Sequence, residues 1–175
     1  MKKITLCKKH LWALIIVCVG IIVDQISKAI VAANMTYGKT VSIIPYLFDF
    51  RYTTNTGAAF GMLSDQRWIF LSVSTVAIIA MIIYAIYAFS DMNMLYVWGI
   101  SLIVSGGIGN MIDRLTLGYV IDFIEFAFMD FATFNIADSC VCVGAFIVGL
   151  AILLDLINES KKTKKGEGNE DNGTA

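Results

Sequence analysis

Four long apolar segments constrain this chain more than any other feature of its sequence. They are Leu11–Ala33, Trp68–Phe89, Met94–Ile112 and Ile136–Ile157. Each is close to the ~20 residues that a helix needs to cross the hydrocarbon core of a bilayer. Of the 175 residues 58% are hydrophobic and only 15% are charged, a composition that excludes an ordinary soluble domain. The sequence therefore predicts one membrane domain with four transmembrane helices over residues 1–158, followed by a disordered cytoplasmic tail over residues 159–175.

The distribution of lysine and arginine predicts the orientation of these helices. Four lysines precede the first apolar segment and four follow the last one: Lys2, Lys3, Lys8, Lys9, Lys161, Lys162, Lys164 and Lys165. The longer loop after the first segment holds only Lys39, Arg51 and Arg67. By the positive-inside rule we expect both termini in the cytoplasm. A cleaved signal peptide is the alternative for the N-terminus, although its apolar run exceeds the ~7–15 residues of a usual h-region.

The loop between the first and second apolar segments predicts a small extracytoplasmic sheet over about residues 40–60. Val41–Leu47 and Phe48–Thr53 are rich in β-branched and aromatic residues, and Pro45 interrupts the first of them. Two or three short strands on the membrane surface fit this pattern. Further along, Tyr119–Ile124 is typical either of a strand or of a re-entrant segment.

Ionisable and amide side chains recur at the edges of the apolar segments, where a charge is costly and a functional site is the default interpretation. Structural roles compete with that interpretation in several places. Asp24 and Lys28 have the i,i+4 spacing of an internal ion pair. Asn135 and Asp138 have the spacing of a helix-capping box. Asn55 begins an Asn-x-Gly turn.

The inventory of side chains narrows the possible chemistry. His10 is the only histidine and lies at the cytoplasmic end, which excludes a histidine-containing triad and a two-histidine metal site. No phosphate-binding or dinucleotide-binding glycine motif follows a strand. The remaining candidates for catalytic groups are carboxylates that lie on one side of the membrane. Asp122 and Asp138 are the best candidates for a pair that shares a proton, one aspartate activating water while the other polarises a carbonyl.

Five sequence blocks together resemble the lipoprotein signal peptidase family (signal peptidase II) over Leu11 to Ile157. The blocks are Asp24-Gln25-x-Ser27-Lys28, Asn55-x-Gly57-Ala58-Ala59-Phe60, Gly109-Asn110-x-x-Asp113-Arg114, Val120-Ile121-Asp122-Phe123 and Phe134-Asn135-x-Ala137-Asp138. Any one block alone is a weak signal, but five in the family's order and spacing are a strong one.

The resemblance implies an all-α membrane protein with a small β element: four transmembrane helices, an extracytoplasmic β-cradle and a short surface helix at or near Gly61–Gln66. It places the catalytic pair of an aspartic endopeptidase on Asp122 and Asp138. Residues that line or support the site would be Asp24, Lys28, Asn55, Gly57, Asn110, Asp113, Arg114 and Asn135.

The same resemblance implies the substrate and the location of the enzyme. The enzyme would lie in the bacterial cytoplasmic membrane and cut prolipoproteins before a diacylglyceryl-modified cysteine, on the outer side. Membrane lipids and globomycin-type peptide inhibitors are expected partners, whereas a cofactor, a metal and nucleic acid are not. The competing class is a small non-enzymatic transporter or scaffold with a polar core, but no internal repeat supports a transporter.

Overall fold

The computed structural model describes residues 7–57 and 67–170. Its helices are α1 (Lys8–Asn34), α2 (Arg67–Ala88), α3 (Met94–Thr116) and α4 (Ile136–Glu170). Its strands are β1 (Thr40–Ile44), β2 (Phe48–Asn55) and β3 (Val120–Phe126). All four helices contain a stretch long and apolar enough to cross a membrane. The predicted fold class, four transmembrane helices with a small β element, is therefore confirmed.

Helix α3 is the centre of the bundle and packs against α1, α2 and α4. Small residues allow these helices to approach closely. A Cβ atom added at Gly106 would clash with the carbonyl oxygen of Ala137 at the start of α4. One added at Gly99 would lie 2.8 Å from the carbonyl oxygen of Gly144. The α3–α4 contact thus depends on the absence of side chains at these positions.

The two ends of the bundle differ. At the end where α1 begins, which we call the amino-terminal end, the ammonium group of Lys9 donates to the carbonyl oxygens of Ser90 (3.1 Å) and Met92 (2.6 Å) in the turn between α2 and α3. At the opposite end α3 ends at Thr116, and Gly118 in the turn that follows has a φ of 88°, which suits glycine. The chain then turns directly into β3, so β3 lies beside the end of α3.

The three strands form an antiparallel sheet in the order β1-β2-β3. Both strands predicted in the first loop are present, and the segment over Tyr119–Ile124 is a strand rather than a re-entrant loop. In the register of β2 and β3, Thr53 lies opposite Asp122 and Asn55 lies opposite Val120. The sheet therefore brings the polar end of β2 next to the carboxylate of β3.

Three boundaries differ from prediction or lie outside the described residues. β1 ends at Ile44 because Pro45 begins a turn in which Tyr46 has a φ of 65°, so the strand stops before Leu47. α4 continues to Glu170, into the segment for which the sequence predicts disorder. Lysine and glutamate favour helix, and extending an existing helix costs far less than nucleating one. The surface helix predicted near Gly61–Gln66 lies outside the described residues.

Candidate active site

The polar blocks of the sequence meet at the end of the bundle opposite the amino-terminal end. Asp122 on β3 is at the centre of this meeting point and is only 3% exposed. Its Oδ1 accepts a hydrogen bond from Nδ2 of Asn135 (2.7 Å), and its Oδ2 accepts one from Nδ2 of Asn55 (3.2 Å). Both oxygens of this carboxyl group are therefore held by amides from two other blocks.

Burial raises the pKa of Asp122 to about 7, and the negative charge of Asp138 contributes to the same shift. The hydrogen bonds from Asn55 and Asn135 and the positive charge of Lys28 oppose this rise in pKa. A carboxyl group with a pKa near 7 can hold or release a proton at neutral pH, which is what general acid–base chemistry requires.

Asp138 has the structural role that its spacing predicts. The backbone NH of Asn135 donates to its Oδ2 (3.1 Å), and its own backbone NH donates to Oδ1 of Asn135 (2.9 Å). These reciprocal bonds form a capping box at the start of α4. Its other oxygen, Oδ1, accepts from Nδ2 of Asn110 at 2.7 Å. The cap therefore uses one carboxylate oxygen and leaves the other directed at α3.

Asn135 connects the two candidate carboxyl groups. It is fully buried, its side-chain NH₂ donates to Asp122 and its backbone NH donates to Asp138. The same NH₂ group also lies 3.0 Å from Oδ1 of Asn110 and 3.2 Å from the carbonyl oxygen of Ile121. One residue thus positions Asp122 and Asp138 relative to each other.

Lys28 orients the amide of Asn110. The side chain of Lys28 is 2% exposed, and its ammonium group lies 2.8 Å from Asp24, 3.0 Å from Asp113 and 2.9 Å from Oδ1 of Asn110. Three donors thereby meet three acceptors, as a buried ammonium requires. Because the Asn110 oxygen faces Lys28, its NH₂ group must face Asp138. The ion pair predicted for Asp24 and Lys28 is therefore itself part of the candidate site.

The two carboxylates that bind Lys28 also fix the backbone around the site. Oδ1 of Asp24 accepts from the backbone NH of Ala137 (2.9 Å), in the first turn of α4. Oδ2 of Asp113 accepts from the backbone NH of Ile121 (3.1 Å), next to Asp122 on β3. Asp24 therefore anchors the helix that carries Asp138, and Asp113 anchors the strand that carries Asp122.

The Asn-x-Gly turn places two further predicted residues. Oδ1 of Asn55 accepts from the backbone NH of Gly57 (2.9 Å), which leaves its NH₂ group for Asp122. The carbonyl oxygen of Gly57 accepts from the guanidinium of Arg114 (3.1 Å), which also donates to the carbonyl oxygen of Asn110 (3.3 Å). Arg114 thus joins the end of β2 to α3.

The structure brings together the eight predicted supporting residues and the two predicted aspartates. It also adds Gln25, to which we assigned no role from the sequence. Nε2 of Gln25 lies 2.9 Å from Oδ1 of Asp113, 3.2 Å from Oδ2 of Asp24 and 3.2 Å from the carbonyl oxygen of Gly109. Its position between Asp24 and Lys28 in the first block was the available signal. No three histidine, cysteine, aspartate or glutamate side chains among the described residues form a metal-binding group.

The site carries an excess of negative charge. It contains four carboxyl groups and two cationic side chains: Asp24, Asp113, Asp122, Asp138, Lys28 and Arg114. Lys28 is bound to Asp24 and Asp113, so its charge is shared with carboxylates other than the candidate pair. Asp122 is buried and Asp138 is half-buried, so this surplus of negative charge favours retention of one proton by the pair.

Comparison with known proteins gives a consistent result. The family model described as signal peptidase (SPase) II matches residues 16–154. A lipoprotein signal peptidase of Symbiobacterium thermophilum is 40% identical over 153 residues, covering 86% of this chain and 98% of the relative. A lipoprotein signal peptidase of Streptococcus pyogenes serotype M2 is 42% identical over 148 residues, which cover 83% of this chain and 94% of the relative. A bacterial membrane enzyme solved by the in meso method at 2.3 Å superimposes with a TM-score of 0.78 at 34% identity, over 83% of this chain and 90% of that one.

Proposed function

The chain belongs to the signal peptidase II family, and on this basis we propose that it is an aspartic endopeptidase that removes the signal peptide from prolipoproteins. Asp122 and Asp138 are the catalytic residues of this proposal. The observation that carries it is the arrangement around Asn135, which donates a hydrogen bond to each carboxyl group. A transporter or scaffold would not require a buried and a half-buried carboxyl group held by one residue.

The proposed reaction uses the pair as a single acid–base unit that holds one proton. The ionised carboxylate takes a proton from water, and the water oxygen forms a bond to the scissile carbonyl carbon. The protonated partner transfers its proton to the carbonyl oxygen, which becomes a hydroxyl of the tetrahedral intermediate. The carboxyl group that took the proton from water then passes it to the amide nitrogen and the C–N bond breaks. The other carboxylate recovers a proton from a hydroxyl of the intermediate, so the pair again holds one proton.

The supporting residues act by holding the pair in one geometry. Asn55, Asn110 and Asn135 supply amide donors to the two carboxyl groups. Lys28 and Arg114 supply positive charge close to the surplus of carboxylates, and Lys28 fixes the orientation of Asn110. Preorganised donors of this kind cost no reorganisation during the reaction.

We place the amino-terminal end of the bundle in the cytoplasm and the site near the outer face of the membrane. The lysines at both chain ends support this orientation. A substrate with an apolar signal helix and two acyl chains must then approach laterally within the bilayer. The acyl chains can position the scissile bond, because each buried methylene contributes ~0.8 kcal/mol to membrane anchoring. Globomycin-type peptides should compete for the same site.

The decisive test is cleavage of a purified precursor by the purified protein in detergent. Two precursors of the same sequence are compared, one carrying a diacylglyceryl group on the cysteine that follows the cleavage site and one without it. We expect mass spectrometry to show a product beginning with the modified cysteine from the first precursor and little or none from the second. Equal cleavage of both would indicate a general signal peptidase, and no cleavage of either would contradict the proposal.

A further inference from the structure

A cleft of about 670 Å³ lies at the amino-terminal end of the bundle, at the opposite end from the site. We call it the amino-terminal cleft. It lies among α2, α3 and α4, and its polar lining includes Tyr84, Asp91, Tyr96 and Asp155. Ile100 and Ile152 form part of its apolar lining. Nothing in the proposed reaction uses these residues.

The amino-terminal cleft and the candidate active site lie on the same face of α3. Tyr96 and Arg114 are 18 positions apart, which is about five full turns at ~3.6 residues per turn. Their side chains therefore leave α3 in the same direction, about 27 Å apart along its axis. Between them lie Ile100, Gly107 and Asn110. The successive spacings from Tyr96 to Arg114 are four, seven, three and four residues, which keeps all five on this face.

This face of α3 is the floor of a groove between α2 and α4. α2 packs against one side of α3, where a Cβ added at Gly107 would lie 3.0 Å from Ile78. α4 packs against the other side, where a Cβ added at Gly144 would lie 2.9 Å from Ile103. Among the described residues α2 and α4 make at most marginal contact with each other. The groove thus runs from the amino-terminal cleft towards the candidate pair.

The chemistry of the amino-terminal cleft suits a cationic group. Its carboxylates and tyrosine rings are the side chains that bind ammonium and guanidinium groups. The hydroxyl of Tyr96 donates to Oδ2 of Asp155 at 2.8 Å, which fixes the orientation of that carboxylate. The nearby ammonium group of Lys9 is bonded to the carbonyl oxygens of Ser90 and Met92.

We propose that the amino-terminal cleft binds the basic amino-terminal segment of the signal peptide, while the apolar segment lies along α3 between α2 and α4. This inference rests on the proposed function. A signal peptide has a positively charged start followed by an apolar run, and is ~15–30 residues long. A helix of about 18 residues spans the 27 Å between the two ends of the groove, a length that an apolar run of ~7–15 residues reaches together with the residues that flank it. The cleft and the catalytic pair would then bind the two ends of one signal peptide.

The test compares two lipidated precursors and two variants of the full-length enzyme in detergent. One precursor keeps its amino-terminal lysines, and in the other they are replaced by glutamine. Asp155→Asn removes the charge in the cleft but keeps the size and the acceptor for Tyr96. Glu159→Gln makes a similar change one turn further along α4, outside the cleft. Thermal melting checks that both variants fold.

For the basic precursor we expect Asp155→Asn to raise KM about three- to fivefold with kcat unchanged, the range for a partly exposed ion pair. With wild-type enzyme, the neutral precursor should have a KM as high as that of the basic precursor with Asp155→Asn. Asp155→Asn should not raise the KM of the neutral precursor further. Glu159→Gln should match wild type on both precursors. Asp155→Lys should prefer a precursor whose amino-terminal lysines are replaced by glutamate.

Other outcomes overturn the inference without affecting the proposed function. If wild-type enzyme cuts both precursors with the same KM, the cleft does not bind the basic segment. If Asp155→Asn raises KM equally for both, the cleft has another occupant, such as the ammonium headgroup of a lipid. If Glu159→Gln behaves like Asp155→Asn, the effect is a diffuse charge effect. Only a wild-type enzyme that cuts neither precursor would contradict the proposed function itself.

Discussion

At the scale of single residues, the geometry of Asp138 accommodates both the capping role and the proposed catalytic role, which the sequence alone presented as alternatives. Its Oδ2 and its backbone NH form the capping box with Asn135, while its Oδ1 is bonded to Asn110. A capping role and a catalytic role use different parts of the same residue, so the presence of the cap does not count against catalysis.

This separation makes the consequences of replacing the two aspartates distinguishable. Asp122→Asn and Asp138→Asn should each lower turnover by about 10²–10⁴, the usual contribution of a positioned acid or base. The double variant should be little worse than either single one, because the two residues act as one unit. Cleavage of a lipidated precursor measures turnover. Thermal melting measures the loss of the carboxylate charge in the first turn of α4, about 0.3–1 kcal/mol for Asp138→Asn.

Glu125 offers a matched control for these variants. It lies on β3 three residues after Asp122, but its carboxylate is bonded to Arg51 at the protein surface (3.1 Å). Glu125→Gln should retain near-normal turnover. A folded Asp138→Asn protein with equally normal turnover would remove Asp138 from the catalytic pair and refute the mechanism.

The raised pKa of Asp122 predicts a pH dependence of definite sign. In the unfolded chain this carboxyl group loses its proton near its ordinary pKa of ~3.9, whereas in the folded protein it does so near 7. Between these values the folded state binds more protons, so its contribution to the free energy of unfolding decreases as pH rises towards 7. The proton that the pair needs for catalysis is lost over the same upper range.

We therefore expect kcat/KM for a lipidated precursor to decrease as pH rises above about 7, while the protein stays folded. The apparent pKa belongs to the pair rather than to either aspartate. Measuring initial rates from pH 5 to 9, with melting temperatures at each pH, separates loss of activity from loss of structure. A rate that rises steadily through this range would show that the pair works without a proton.

At the scale of helices and strands, the sequence predicted most of the architecture because its signals are local. Apolar length identifies the four spans, and the β-branched and aromatic residues of Val41–Leu47 and Phe48–Thr53 identify two strands. The asparagine turn at Asn55 was also visible, since Asn-x-Gly favours it. What could not be predicted is which elements pair: β3 joins β2 through a register that no local pattern encodes.

The residues of the candidate site could be predicted from the sequence, but the hydrogen bonds between them could not. The resemblance to a family supplied the residues, but it could not show that Asn135 bonds to both aspartates or that Lys28 orients Asn110. These contacts join positions as far apart as 28 and 110, so they depend on the packing of α1 against α3. Gln25 has no distinctive pattern of its own, and only its place inside the first block indicates a role for it.

A substitution at Gly106 tests whether the close packing of α3 against α4 fixes the geometry of the candidate site. A Cβ at this position would clash with the carbonyl oxygen of Ala137, one residue before Asp138. Gly106→Ala should therefore displace the first turn of α4 and lower both the melting temperature and turnover. Overpacking of this kind typically costs about 1–3 kcal/mol.

Gly149 is the matched control, because it lies on α4 with no atom within 4 Å of an added Cβ. Gly149→Ala should leave turnover unchanged and stabilise the helix by up to ~1 kcal/mol. Melting temperatures and cleavage rates of the two variants show whether the close approach at Gly106 matters for stability and turnover. Equal behaviour of Gly106→Ala and Gly149→Ala would show that the close α3–α4 approach is not needed at this end of the bundle.

At the scale of the whole molecule, the proposed catalytic and supporting residues lie at one end of the bundle. The described lysines next to the first and last spans, Lys8, Lys9 and Lys161, lie at the other end. The proposed reaction depends on this separation of the two ends. A precursor whose modified cysteine is on the outer side can be cut only if the site faces outward. Lys9, in the first turn of α1, and the α2–α3 turn lie at the same end. The orientation can therefore be tested with one position from each end.

Thr56 lies in the turn after β2, beside Asn55, and its side chain is exposed. Ser90 lies in the turn between α2 and α3 and is also exposed. In a background in which the four native cysteines are replaced by serine or alanine, we expect a membrane-impermeant maleimide to label Thr56→Cys in intact cells. Ser90→Cys should be labelled only after the cells are permeabilised. The reverse pattern would place the aspartate pair on the cytoplasmic side, where it could not reach the cleavage site of an exported precursor, and the proposed substrate would have to be abandoned.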